Sequence, residues 1–271
     1  VTPPLLRAEE LPAVGAELVL DGPEGRHAGS ALRVRPGERI RVGDGRGSVA
    51  DCEVTASEKG CVTAVVRELA RHPRPVPEVT VVQALPKAER SELAVELATE
   101  AGADRLVPWQ AERCVSRWTG PKVAKGHAKW VNAARAAAKQ SRRPWEPEVA
   151  EPVSGDGLAA LLAEETARGA RVVVLHEEGS VPFAEAVLGG GVPDRLVLVV
   201  GPEGGVSGDE LAALTAAGAR CAVLGPEVVR TSTAAAVALG ALGVLTARWP
   251  GAATTLDATP AAARPPSTPR E

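Results

Sequence analysis

Between residues 16 and 69, apolar and polar positions alternate in four short runs: AELVLDG (16–22), RIRVGDGRG (39–47), SVADCEVTAS (48–57) and CVTAVVREL (61–69). Residues two apart on a strand share a face, so this alternation predicts half-buried strands. Gly, Asp and Pro punctuate the runs at regular spacing, the pattern of a small all-β barrel. RHPRPVPE (71–78) follows, with three prolines in eight residues, and predicts a stiff linker.

Beyond the linker the period changes. The runs EVTVVQAL (78–85), ADRLVPW (103–109), RVVVLHEE (171–178), RLVLVV (195–200) and RCAVLG (220–225) predict strands. Helical spacing separates them in KAERSELAVELATEAG (87–102), in KGHAKWVNAARAAAKQSRR (125–143, ended by Pro144) and in GDGLAALLAEETARG (155–169). Further helices are predicted around PFAEAVL (182–188), in SGDELAALTAAG (207–218) and in TSTAAAVALGALGVLTARW (231–249). Ser207 with Glu210 three residues on is a capping box, and Gly218 supplies the stop. Strands alternating with helices predict an α/β domain whose parallel sheet is covered on both faces. From 251 the Pro-, Ala- and Thr-rich tail has no period and is expected to be disordered.

The 271 residues, 45% of them hydrophobic, are enough for two packed domains. No apolar run reaches the roughly 18–20 residues that a membrane span requires. The opening VTPPLLRAEELP has neither the basic start nor the apolar core of a signal peptide, so a cytoplasmic protein without a membrane partner is expected. Cys52, Cys61, Cys114 and Cys221 lack metal-ligand spacing and are read as small buried hydrophobes, with no metal. The formal net charge of −3 conceals a segregated surface. Ten basic residues lie between 105 and 143 against the single acid Glu112, whereas eight basic and fourteen acidic residues lie from 151 onward. A cationic sector of that kind suits a polyanion.

Two loops occupy equivalent places, each after a strand and before a helix: GPEGGVS (201–207) and GPEVVRTST (225–233). In open α/β sheets ligands bind beyond the carboxyl ends of strands, and glycines let backbone approach them closely. Neither loop has the G-x-x-x-x-G-K-[ST] of a phosphate loop, and GDGRG (43–47) opens no helix.

Together the loops resemble the signature of the SPOUT methyltransferases, strand–GPEGG-[VF]-S-x-x-E followed by L-G-x-x-[IV]-[LV]-R-T-x-T-A. The closer similarity is to the RsmE family, which methylates N3 of a uridine in 16S ribosomal RNA. It extends over about residues 5–250 and takes in H-x-x-x-x-L-R-V-R-x-G (His27 to Gly37), ALPKAERSELAVELATEAGADRLVPWQAERC (84–114) and AAAKQSRRPWEPEV (136–149). The resemblance implies a PUA-like β-barrel for RNA at 1–72, a linker at 73–78 and a SPOUT domain at 79–250. That domain would be a parallel sheet whose C-terminal part forms a deep trefoil knot, binding S-adenosylmethionine and pairing as a homodimer. The implied macromolecular partner is 16S ribosomal RNA within the small subunit.

On this resemblance the cofactor falls to three strand ends: Leu175 and His176; Val200, Gly201, Pro202, Gly204 and Gly205; and Leu224, Gly225, Pro226, Val228 and Val229, with Thr231 and Thr233. Arg230 is the candidate catalytic charge, since a guanidinium stabilises an enolate-like uracil oxygen. Glu203 faces the methyl path or holds the turn. RNA contacts are assigned to Arg33 and Arg35 in the barrel and to Arg113, Arg117, Arg135, Gln140, Arg142 and Arg143 beyond it. Base stacking would fall to Trp109, Trp118, Trp145 or arginine planes. Two positions depart from the family pattern: Ser232 stands where R-T-E-T-A has Glu, and Lys139 where E-Q-S-x-R begins with Glu. Two alternatives remain open to the sequence. One is a SPOUT enzyme acting on another RNA such as transfer RNA; the other is a non-catalytic RNA-binding factor in ribosome assembly.

Overall fold

The computed structural model describes residues 3–249. The expected disordered tail therefore lies outside the described residues.

The N-terminal unit comprises β1 (Leu5–Arg7), β2 (Glu17–Leu20), α1 (Gly22–Arg26), β3 (Arg39–Gly43), β4 (Ser48–Glu58) and β5 (Cys61–Arg71). The five strands of the expected small β unit are ordered β1-β3-β4-β5-β2. Beside β2 and β5, α1 runs on into a wider π-type turn at His27–Leu32. Glu24 on α1 accepts the backbone N–H of Arg7 on β1 at 3.1 Å. The alternation reads directly into burial: Ile40, Val42, Cys52, Val54, Val62, Ala64 and Val66 form the core of this unit. Neither β1 nor the 22–32 helical segment was predicted, because three residues carry no period and GPEGR reads as a turn.

The second unit contains β6 (Glu78–Ala84), α2 (Ser91–Ala101), β7 (Arg105–Gln110), α3 (Pro121–Gln140), β8 (Glu148–Val149), β9 (Val153–Ser154) and α4 (Asp156–Ala167). It continues with β10 (Arg171–Leu175), β11 (Val181–Pro182), α5 (Phe183–Leu188), β12 (Arg195–Val200), α6 (Gly208–Ala216), β13 (Arg220–Val223) and α7 (Thr231–Leu245). Strands are ordered β11-β13-β10-β12-β6-β7-β8, with β9 beside β7, and every pairing is parallel. Helices cover both faces of such a sheet, so its strands are unbroken apolar runs. In β12 all five residues after Arg195 are buried. The capping box of α6 is present: Ser207 Oγ accepts Glu210 N–H at 3.3 Å while Glu210 Oε2 accepts Ser207 N–H at 3.2 Å. Among the described residues no helix is long and apolar enough to cross a membrane.

Of the boundaries that differ from expectation, two have clear local reasons. The basic helix starts four residues early because Pro121 fits a first turn, and it stops at Gln140, where Ser141 Oγ donates back to Ala137 O at 2.7 Å. The strand expected over 171–178 ends at Leu175, since a turn follows in which Gly179 N–H donates to His176 O at 3.1 Å. That early exit delivers His176, Glu177 and Glu178 to the sheet's edge.

The segment after α3 joins the two units. Lys139 Nζ meets both oxygens of Glu24 at 2.6 and 2.8 Å. Arg7 pairs with Glu146 at 3.0 Å and donates to Arg143 O at 2.9 Å. The Trp145 ring lies against Gly47 (φ +97), where a Cβ would stand 2.4 Å from Cζ2, and the Arg74 guanidinium covers the ring at 4.2 Å. Any larger residue at 47 would push the units apart. Beneath this junction Asp104, its side chain 2% exposed, holds Arg143 at 3.1 Å, Arg248 at 3.0 Å and Val79 N–H at 2.9 Å.

Candidate functional site

Because all strands of the large sheet run one way, their carboxyl ends open on a common edge. The loops after β10, β12 and β13 meet there around a cavity of about 780 Å3, closed on further sides by the 87–90 turn, Arg113 and the start of α7. Two carboxylates fasten the GPEGG loop to its neighbours. Glu203 Oε1 accepts Lys87 N–H at 3.2 Å, from the turn after β6. Glu210 Oε1 accepts Glu112 N–H at 2.8 Å, from the loop after β7. Arg113 is drawn to the rim, its Nη1 donating to Gly204 O at 3.4 Å. On the opposite side, a Cβ added to Gly225 would meet only Glu227 Oε2, at 3.8 Å, so this backbone lies open to the cavity. An open main chain beside apolar Leu224 and Val229 suits a flat heteroaromatic group with polar edges.

Arg230 is the N-cap residue of α7, and its carbonyl accepts the Thr233 and Ala234 N–H groups at 2.9 and 3.0 Å. Its side chain is exposed, lines the cavity and belongs to none of the ion pairs among the described residues. Ser232, in place of the family's Glu, is buried at the cavity's inner end. Cys114 is buried, and burial pushes its thiol above the usual range, so it stays protonated. Among the described residues no cluster of three His, Cys, Asp or Glu is arranged to hold a metal.

The cavity gathers Leu175, His176, Val200, Gly201, Pro202, Gly204, Gly205, Leu224, Gly225, Pro226, Val228, Val229, Thr231, Glu203 and Arg230. Thr233 is the exception: it does not line the cavity, and its Oγ1 donates to Arg230 O at 3.2 Å, a bond within the first helical turn. Of the basic set, only Arg113 reaches the cavity. Arg33, Arg35, Arg117, Arg135, Gln140 and Arg142 are exposed, with Arg135 facing Glu146 at 3.6 Å. Arg143 is a correction. Its guanidinium donates to Thr99 O at 2.7 Å and Ala103 O at 2.5 Å and pairs with Asp104, and burial depresses its pKa. A side chain so consumed does not reach a polyanion. Trp109 is likewise buried, Trp118 stands edge-on to Trp130, and Trp145 serves the junction. Sequence reasoning overlooked Lys87, Glu89 and Arg90, although their place directly after β6 was the available signal.

Comparison with known proteins bears on this geometry. Residues 72–243 match the family model described as an RNA methyltransferase domain, and residues 20–67 match an RNA methyltransferase PUA domain. The ribosomal RNA small subunit methyltransferase E of Mycobacterium bovis is 53% identical over 252 residues, which is 92% of this chain and 94% of that protein. Its Bacillus subtilis namesake is 30% identical, over 84% of this chain and 90% of that protein. Among solved structures, a ribosomal RNA small subunit methyltransferase E from Neisseria gonorrhoeae bound to S-adenosyl methionine superposes with a TM-score of 0.78. It is 25% identical and covers 90% of this chain and 98% of that one.

Proposed function

The chain belongs to the ribosomal RNA small subunit methyltransferase E family, and on that premise we propose that it methylates N3 of a uridine in 16S ribosomal RNA, using S-adenosylmethionine. The observation that carries the reading is the convergence of the 201–205 and 224–229 loops on one cavity, with Arg230 at its edge, outside the ion pairs among the described residues. When bound, the cofactor would supply the methyl group; Leu224, Val229 and the open backbone at Gly225 would hold its flat heteroaromatic part, facing the GPEGG loop.

Uridine N3 must lose its proton as the methyl group arrives, which leaves negative charge on the flanking oxygens. In this reading Arg230, exposed at the cavity, donates hydrogen bonds to such an oxygen, and a donor at developing charge lowers the barrier directly. No protein carboxylate is available at Ser232 to take the proton, and no thiolate is required, in keeping with the protonated Cys114. With the proton passing to solvent at the cavity's open side, the work left to the protein is positioning and stabilisation of the developing charge.

The sheet unit over residues 1–72 and the exposed Arg33, Arg35, Arg117, Arg135, Gln140 and Arg142 serve RNA in this reading, while 79–250 forms the methyltransferase domain. Its threading as a trefoil knot is supported by α7, which returns from β13, the strand next to the sheet's edge, to pack on α2, with Gln83 Nε2 donating to Thr231 O at 3.2 Å. A homodimer through the same helix is supported by Val237 and Val244, 47% and 44% exposed on α7 beside an apolar groove of Phe183, Ala241 and Leu245. Action on the small ribosomal subunit places the enzyme in the cytoplasm.

The test uses small subunits from cells lacking this gene, incubated with the protein and labelled cofactor, followed by nucleoside analysis. Label in 3-methyluridine is expected. Label on another base, or only on transfer RNA, overturns the assignment.

A further inference from the structure

The cavity's rim carries charge that the cofactor and Arg230 do not absorb. Lys87 and Arg90 stand on the turn after β6, and Arg113 on the loop after β7. None of the three takes part in the ion pairs among the described residues, whereas Arg105, Lys129, Lys139, Arg143, Arg195 and Arg248 all do. Glu203 accepts the Lys87 backbone N–H, Glu89 lies on the same turn between the two cations, and Arg113 Nη1 reaches only Gly204 O, at 3.4 Å.

Strand order sets these cations apart from the cofactor walls. Along the edge β13-β10-β12-β6-β7, the loops assigned to the cofactor follow the first three strands and the cations follow the last two. The GPEGG loop after β12 divides the halves. The cationic half is also the one nearer the N-terminal sheet, since α3, which follows β7, contacts β1.

We infer that Lys87, Arg90 and Arg113 form a phosphate clamp that grips the RNA backbone on either side of the target nucleotide while its base enters the cavity. The inference rests on the methyltransferase reading and adds to it the residues that position the substrate. An enzyme acting on a ring atom takes the base from a single strand or turns it out of its stack, the latter at a cost of a few kcal/mol, and phosphate contacts flanking the nucleotide offset such a cost. Arginine offers a planar fork to two phosphate oxygens and lysine a mobile point charge, so the trio tolerates sequence while fixing register.

The experiment compares wild type with Lys87→Ala, Arg90→Ala and the double variant. Cofactor affinity is measured by calorimetry, KM and kcat on small subunits, and equilibrium binding of small-subunit RNA fragments across a salt series. Each single variant is expected to weaken RNA binding and raise KM on the order of tenfold, the effect of one charged hydrogen bond. Affinity for S-adenosylmethionine is expected to stay at the wild-type value. The slope of log affinity against log salt should become shallower by about 0.7 for each charge removed. Lys87→Arg should restore both. An unchanged salt slope, or cofactor affinity falling in parallel with RNA affinity, overturns the clamp. Wild type that binds RNA but transfers no methyl group would instead overturn the reading beneath it, with the salt slopes still reporting on the clamp.

Discussion

Glu203 lies in the wall of the cavity, and its role separates two accounts of the GPEGG loop. Its Oε1 accepts the Lys87 N–H at 3.2 Å, which ties the loop after β12 to the turn after β6. If that bond is its function, Glu203→Gln keeps an acceptor of the same reach and loses only the charge. Hydrogen bonds to charged groups contribute about 1.5–3 kcal/mol and neutral ones about 0.5–1.5. This bond is long and exposed, so the lower ends apply and Gln is expected to cost about 1 kcal/mol, roughly fivefold in cofactor affinity. Glu203→Ala removes the staple and is expected to cost about 1.5–2 kcal/mol, roughly 10–30-fold. Titration calorimetry with S-adenosylmethionine and steady-state kinetics on small subunits read the two variants. A fall in kcat beyond about a hundredfold for Gln, with cofactor affinity intact, would refute the staple and make the carboxylate part of the reaction.

Arg230→Ala should keep cofactor binding and lower kcat about 10²–10³-fold, as loss of a donor to a developing oxyanion does; equal loss of binding would make the residue structural. Asp104→Asn leaves Arg143 and Arg248 buried without a counter-charge, at a cost of about 3–5 kcal/mol, visible as a fall in Tm of about 6–20 °C by calorimetry. A change under about 1 kcal/mol would show that the arginines find other partners. Lys139→Glu should lower stability by about 1 kcal/mol in urea titrations, and adding Glu24→Lys should recover most of it. Failure of the swap to rescue would mean that the pair does not hold the junction. Burial pushes the Cys52 thiol from its ordinary 9.0 up to about 11, so above pH 9 the unfolded chain loses a proton that the folded one keeps. Stability should therefore fall by about 2–3 kcal/mol between pH 9 and 11, and Cys52→Ala should lack that part of the decline.

The elements most legible in the sequence were those whose side chains report burial on both faces or one. RLVLVV and EVTVVQAL are apolar at every position because helices cover both sides of their sheet, and the alternation in SVADCEVTAS marks one buried face. Caps were legible for the same local reason: Ser207 and Glu210 satisfy each other's backbone across three residues, whatever the rest of the fold does. Local order also carried the cofactor loops, since a glycine run directly after a buried strand must lie at the sheet's edge.

What lay beyond reach depended on partners distant in sequence. KQSRRPWE reads as the basic end of a helix, yet its charges face Glu24, Asp104 and carbonyls some 40 to 115 residues away, and it joins two units. Lys139 is an anomaly in the chain and an ion pair in the fold. Sequence left Glu203 between the methyl path and the turn, and in the structure its carboxylate accepts the Lys87 N–H, 116 residues away along the chain. The sequence by itself determined the longer strands, the α6 cap and the two glycine loops, because burial period and backbone satisfaction are local properties. Only the tertiary structure decided which arginines are free for a polyanion and which are consumed, because a charge's availability depends on what stands within a few ångströms of it, and sequence distance says little about that.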